Sequence, residues 1–203
     1  LLGLSPKRLL LLALEQNAEI DRLKARRREP VAIVGVGCRL PGGVHTADDY
    51  WELLCEGRDA IRTVPPDRWD IDAYYDPNPN TPGKMSTRWG GFLDQIDRFD
   101  PDFFGIAPRE AVAMDPQHRL ALEVCWEAIE HAGIAPRKLE NQPVGVFFGV
   151  TGGDYIHLLS ANASAAMDAY SMTGNARNAI AGRISYVLGL RGPALVLDTA
   201  CSS

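Results

Sequence analysis

Ala194-Leu195-Val196-Leu197-Asp198-Thr199-Ala200-Cys201-Ser202-Ser203 is the stretch on which the reading of this chain turns. Its four apolar residues predict a buried strand. The strand breaks at Asp198 and Thr199, and a cysteine follows among small residues. Small neighbours let the backbone turn sharply and let a reactant approach the sulfur. A helix starting here would put Cys201 in its first turn, where unpaired N–H groups and the helix dipole favour a thiolate. An accessible thiolate is a nucleophile suited to acyl transfer. Taken alone, the same residues also fit a buried structural cysteine, the commoner fate of a free thiol.

Upstream, Val144 to Val150 reads as a second buried strand, ending in the open loop Thr151-Gly152-Gly153. Residues 163 to 172 predict a short helix. Gly174 to Leu188 predicts another, with Ala176, Ala179, Ile180, Ile184 and Val187 at helical spacing and Ala181 and Gly182 for close packing. Gly189, Gly192 and Pro193 then turn the chain into the last strand. Near the start, Val31 to Gly37 is a continuous apolar run that predicts a buried central strand. A loop from Cys38 to Thr46 follows. Thr46 or Asp48 is placed to cap a helix running to about Cys55, with Tyr50, Trp51, Leu53 and Leu54 as its apolar positions. Asp115-Pro116 opens a helix from Gln117 to Ala132, with Leu120, Val124, Trp126 and Ile129 buried and Gly133 at its end. Strands separated by helices predict an α/β domain with a mainly parallel sheet.

Composition narrows the function classes. The 203 residues carry a net charge of -5, which gives no basic field for nucleic acid. Cys38, Cys55, Cys125 and Cys201 are irregularly spaced with no CxxC pair, which argues against zinc and against a disulfide framework. A reducing, cytoplasmic setting is expected. No apolar run approaches the ~20 residues of a membrane span, and no signal peptide is visible. The chain does not begin with Met and is expected to be an excerpt. Gly35-x-Gly37 suggests a dinucleotide loop, but the third glycine position holds Leu40, which removes the rationale for a pyrophosphate. Asp70, Asp72 and Asp76 lack the glycine and closing glutamate of a calcium loop. Residues 64 to 91 are turn-rich, and Trp69, Tyr74, Tyr75, Trp89 and Phe92 are expected to hold that long segment down. His118 and His131 share one helix but not one face, so they are not a metal pair.

Residues 5 to 28 stand apart. Ser5-Pro6 reads as a helix start, and Leu9, Leu12, Gln16, Ile20 and Leu23 form a coiled-coil-like stripe. Acidic residues come early and Arg26-Arg27-Arg28 late, as the helix dipole favours. Pro30 is expected to stop the helix. So short a helix needs something to pack on, and a linker or partner helix is expected.

Several stretches, in this order, resemble the ketosynthase domain of modular type I polyketide synthases, a branch of the β-ketoacyl synthases of the thiolase superfamily. They are Val31 to Gly35 with Cys38-Arg39-Leu40-Pro41-Gly42-Gly43; Asp67-Arg68-Trp69; Gly90-Gly91-Phe92-Leu93; Phe99-Asp100 through Ile106; Met114-Asp115-Pro116-Gln117-His118-Arg119; Trp126-Glu127-Ala128; and Gly192-Pro193 through Asp198-Thr199-Ala200-Cys201-Ser202-Ser203. The resemblance implies the N-terminal half of a thiolase-like fold over residues 30–203, with residues 1–29 as a helical linker or docking segment.

The resemblance also implies a chemistry. Cys201 would take an acyl chain as a thioester from the phosphopantetheine arm of an acyl carrier protein. A malonyl-type extender would then be decarboxylated and attack that thioester. The backbone N–H of Cys201 is the expected oxyanion donor. No cofactor or metal is expected to bind directly. The expected partners are acyl carrier protein domains, other modules of the synthase, and a second copy in a homodimer. The family's two enolate-stabilising histidines belong to motifs beyond Ser203. His45, His118, His131 and His157 all precede Cys201 and are assigned no catalytic role. These residues alone are therefore expected not to condense, and to expose an apolar face. The loop Thr151-Gly152-Gly153-Asp154 departs from the Ser-rich form expected there. The alternative reading is a non-condensing ketosynthase-like module that binds carrier protein and transacylates.

Overall fold

The structure is a computed structural model that describes residues 5–26, 30–161 and 168–203. It divides into two compact units, Leu1–Val34 and Gly35–Ser203.

The first unit is dominated by one helix, α1 (Pro6–Arg26). Arg8 and Leu9 N–H groups both reach back to the Ser5 carbonyl, so the chain enters the helix where Ser5-Pro6 predicts. Leu9, Leu12, Ile20 and Leu23 are all exposed. The helix is described as far as Arg26, and Pro30, where the stop is expected, is not helical.

Val31 to Gly37 corrects the expectation of a buried central strand. The run forms no ladder with any described strand, and Val31 and Ile33 are 92% and 86% exposed. β-branched residues suit a pleated surface, but a strand exists only with a partner to receive its N–H and C=O groups. Within the second unit, Gly35 and Gly37 instead lie against a helix backbone. A Cβ on Gly37 would stand 2.5 Å from the Val124 carbonyl oxygen, and one on Gly35 would stand 2.9 Å from Ala132 Cβ. The Val36 N–H donates to His131 Nδ1 at 3.1 Å.

The second unit continues with α2 (Ala47–Glu56), capped by Thr46 in a full capping box with Asp49. Only Leu53 of its expected apolar set is buried; Tyr50, Trp51 and Leu54 are exposed. Next come β1 (Ile61–Thr63), α3 (Ile71–Tyr74) and β2 (Trp89–Gly91), with β1 and β2 antiparallel. Trp69 packs edge-on against Phe92, with ring centroids 5.9 Å apart, and this holds part of the turn-rich segment down. α4 (Pro108–Ala113) and α5 (Pro116–His131) follow. Asp115 caps α5 through the Gln117 N–H, and Gly133 leaves it in the left-handed conformation at φ 67°.

β3 (Val146–Gly149) and β4 (Ala194–Leu197) pair in parallel, from Val146 opposite Ala194 to Gly149 opposite Leu197. Between them run α6 (Tyr155–Ala161), α7 (Ala169–Asn175) and α8 (Ala179–Val187). The helix expected over residues 163–172 falls partly outside the described residues. The helix expected from Gly174 to Leu188 is corrected: it begins at Ala179, and Gly174 belongs to α7. The reason is packing. A Cβ on Gly174 would stand 2.6 Å from the Ala113 carbonyl oxygen, and Asn175 Nδ2 donates to that same oxygen at 2.9 Å. α7 is thus fastened to α4 before the chain restarts as α8. Ala181 is fully buried as expected, while Gly182 meets nothing.

The core gathers Met114, Leu122, Val146, Ile180, Ile184 and Leu188, with Phe148 and Val196 packed on it from the sheet. The parallel pair is therefore half-buried rather than buried. Its other face exposes Phe147, Leu195 and Leu197.

Candidate active site

Parallel strands present their functional loops at their carboxyl ends. Here the ends of β3 and β4 lie side by side, joined one step further by the Val150 N–H to the Leu197 carbonyl at 3.1 Å. The loop Thr151-Gly152-Gly153 and the turn Asp198 to Ser203 thus leave the sheet at one edge.

The turn is tightly wired. The Thr199 N–H donates to Ser203 Oγ at 2.7 Å, the Ala200 N–H to Asp198 Oδ1 at 3.1 Å, and the Ser203 N–H to the Ala200 carbonyl at 3.0 Å. Ser202 Oγ donates to the Thr199 carbonyl at 3.0 Å. Ala200 to Ser202 form a single 3₁₀ turn. Cys201 therefore lies in the first helical turn after the strand. Ala200 sits at φ 56°, left-handed for a residue with a Cβ, a conformation that costs on the order of 1 kcal/mol and marks functional turns. Cys201 follows it and is exposed.

Two supports were not visible in the sequence. Gly149 lies directly under the turn, where an added Cβ would stand 3.0 Å from Ser203 Cα. Arg177, in the link between α7 and α8, forms an ion pair with Asp198 through Nη1 and Oδ2. Asp198 therefore accepts from Arg177 with one oxygen and from the Ala200 N–H with the other. A half-exposed pair of this kind contributes about 0.2–1 kcal/mol to stability. Arg177 and Asp198 are 21 residues apart, so no local pattern announces them.

The other cysteines are free thiols. Burial pushes the Cys125 thiol above its ordinary pKa. The four histidines are dispersed. His118 is 2% exposed, and burial, with Arg183 nearby, lowers its pKa to about 4. His157 is exposed on α6. His45 and His131 line a cavity of about 530 Å³ together with Arg39 and Glu127. Arg39 and Glu127 form a two-point ion pair there, one contact at 2.6 Å. Among the described residues, none of the four histidines hydrogen-bonds to the Asp198–Ser203 turn, and no group of three or more His, Cys, Asp or Glu is placed to hold a metal ion. No helix among the described residues is long and apolar enough to cross a membrane.

Comparison with known proteins supplies a context for this turn. A family model described as "Beta-ketoacyl synthase, N-terminal domain" matches residues 28–203. The chain is 57% identical over 175 residues to a phenolphthiocerol/phthiocerol polyketide synthase of Mycobacterium tuberculosis, covering 86% of this chain and 10% of that protein. It is 56% identical over 176 residues to the pikromycin polyketide synthase component PikAII of Streptomyces venezuelae, covering 86% and 5%. The chain thus spans a tenth or less of these relatives. Among solved structures, it matches an oxazolomycin ketosynthase domain of Streptomyces albus with TM-score 0.75 and 37% identity, covering 84% of this chain and 29% of that one. It matches the ketosynthase from module 6 of the bacillaene synthase of Bacillus subtilis with TM-score 0.74 and 42% identity, covering 85% and 27%.

Proposed function

The chain belongs to the β-ketoacyl synthase family, in the branch found in polyketide synthases, and carries the N-terminal part of the thiolase-like ketosynthase fold; from that premise we propose that Cys201 is the residue on which this ketosynthase holds its acyl chain. The observation that supports this most directly is the exposed thiol on a wired turn at the carboxyl edge of the parallel pair.

The step is a thioester exchange. The Cys201 thiolate attacks the carbonyl carbon of an acyl group carried on the phosphopantetheine arm of an acyl carrier protein. The carbonyl π electrons move to oxygen, and the Cys201 N–H donates to that oxyanion. The N–H groups of Thr199, Ala200 and Ser203 are already committed within the turn. The oxyanion collapses, the bond to the carrier sulfur breaks, and that sulfur leaves as a thiolate and takes up the proton Cys201 gave up. The acyl chain then waits for the carbanion of a decarboxylated malonyl-type extender. The groups that would stabilise that enolate are the two family histidines, whose motifs are assigned beyond Ser203. By this reading the 203 residues hold acyl chains and do not condense them. Phe147, Leu195 and Leu197 are the exposed face on which the remainder of the fold packs.

Residues 1–29 serve as the linker or docking segment, for which the exposed Leu9, Leu12, Ile20 and Leu23 are the contact stripe. The complete domain works in the cytoplasm as a homodimer, with carrier domains and neighbouring modules as its partners.

The test is a mass measurement on the complete synthase polypeptide. Incubation with an acyl-loaded carrier protein adds one acyl mass to the peptide containing Cys201, and C201A abolishes it. An adduct that survives C201A, or no adduct in the unsubstituted protein, overturns the assignment.

A further inference from the structure

We propose that Arg177 and Asp198 are positioning residues for acyl transfer: their ion pair holds the left-handed kink at Ala200 and so sets where the Cys201 N–H points. The proposal rests on Cys201 being the acyl acceptor.

Three observations converge on one carboxylate. Asp198 Oδ2 is paired with the Arg177 guanidinium, and Asp198 Oδ1 accepts the Ala200 N–H at 3.1 Å. Ala200 holds φ 56°, a backbone state that alanine avoids and glycine enters freely. The peptide that follows Ala200 carries the N–H of Cys201. Rotating Ala200 back to an ordinary negative φ would swing that peptide and withdraw its N–H from any oxyanion held at the thiol. The strain thus needs an anchor, and a lone aspartate at a strand end, more than a third exposed, would swing between rotamers. Arg177 removes that freedom by gripping the second oxygen from across the crossover.

Arg177 is well placed for the task. It lies in the link from Ala176 to Asn178, between α7, fastened to α4 through Gly174 and Asn175, and α8, whose Ile180 and Ile184 are in the core. The guanidinium therefore reports the position of the helical layer to the turn at the end of β4. Its link to reactivity runs through Asp198 and Ala200, with no contact to the reacting atoms required.

The proposal separates two reactions of one sulfur. Acylation by a thioester builds an oxyanion and needs the Cys201 N–H in place. Alkylation by iodoacetamide at the same sulfur needs the thiolate and no oxyanion donor. In the complete synthase polypeptide, R177A is expected to lower the kcat of acylation by an acyl N-acetylcysteamine thioester about tenfold or more, since losing one oxyanion-hole donor typically costs about 100- to 1000-fold and here it is displaced rather than removed. KM is expected to change less than twofold and the alkylation rate of Cys201 less than threefold. R177K is expected to recover part of the loss.

The deciding variant is A200G in the R177A background. Glycine takes the left-handed kink without strain, so acylation is expected to return to within about threefold of the unsubstituted rate. R177A acylating at the normal rate overturns the proposal. So does a double variant no better than R177A, or equal losses in acylation and alkylation, which would mark a general loosening of structure. Failure of the underlying reading looks different: the unsubstituted protein would take up no acyl mass at Cys201 at all.

Discussion

Gly149 and Ser203 touch backbone to backbone, with no room for a side chain between them. A Cβ at position 149 would meet both the Cα and the carbonyl carbon of Ser203. Gly149 needs no unusual dihedral, so its smallness alone is what the site uses. G149A is expected to lift the turn off β3 and slow acylation at Cys201 by about 10- to 100-fold, the cost of a misplacement near 1 Å. Single-turnover acylation followed by mass spectrometry checks this. An unchanged rate would mean that the turn tolerates the shift.

Thiol chemistry offers a direct test of the surface. Cys55 and Cys201 are exposed, while Cys125 is partly buried with its pKa raised by desolvation. Access favours the first two, and burial keeps the Cys125 thiolate scarce. Timed labelling with iodoacetamide at mildly alkaline pH is expected to modify Cys55 and Cys201 before Cys125, with peptide mapping as the readout. Early labelling of Cys125 would contradict its place beside the core.

His118 should make the fold sensitive to acid. Its folded pKa is about 4, against about 6.5 when unfolded, because the imidazole is buried near Arg183. Between those values the unfolded chain binds the extra proton. Stability is therefore fully present above about pH 6.5 and falls as pH drops toward 4, by about 3 kcal/mol in total. Urea midpoints across that range are expected to lose the corresponding part of their slope in H118Q.

The glycine bed under Val36 predicts a strong stability effect. G37A would drive a methyl group against the Val124 carbonyl oxygen. Overpacking of this kind costs about 1–3 kcal/mol, measurable as a lower urea midpoint. T46A is a milder control: it removes the Asp49 N–H cap from α2, at a cost of about 1 kcal/mol.

These positions show what a sequence carries and what it does not. Asp115-Pro116 and Gly133 bracket α5, and Thr46 opens α2, because capping is local chemistry. The β3 and β4 segments are legible as apolar runs, and the turn bearing Cys201 as a break in one of them. The Val31 to Gly37 run misleads because composition records propensity for a strand and says nothing about a partner for it. The start of α8 is misread because Gly174 is used for contact with Ala113, a neighbour far away along the chain. The pairing of Arg177 with Asp198 and the seat of Ser203 on Gly149 are equally non-local. The sequence shows the nucleophile candidate; its supports are properties of the assembled sheet.

The parallel register of β3 and β4 also has a kinetic meaning. Gly149 and Leu197, which face each other in it, are separated by the whole run of α6, α7 and α8. A hairpin could join such strands in microseconds, but a parallel pair must close the whole crossover first. The seat for the Cys201 turn therefore does not exist until α7 and α8 have docked. On a ribosome the thiol would emerge after the helical layer that Arg177 anchors has already had time to form. Under the proposed role of Cys201, its reactivity appears late and together with burial of Ile180 and Ile184, and thioester uptake would then report completed folding as well as chemistry.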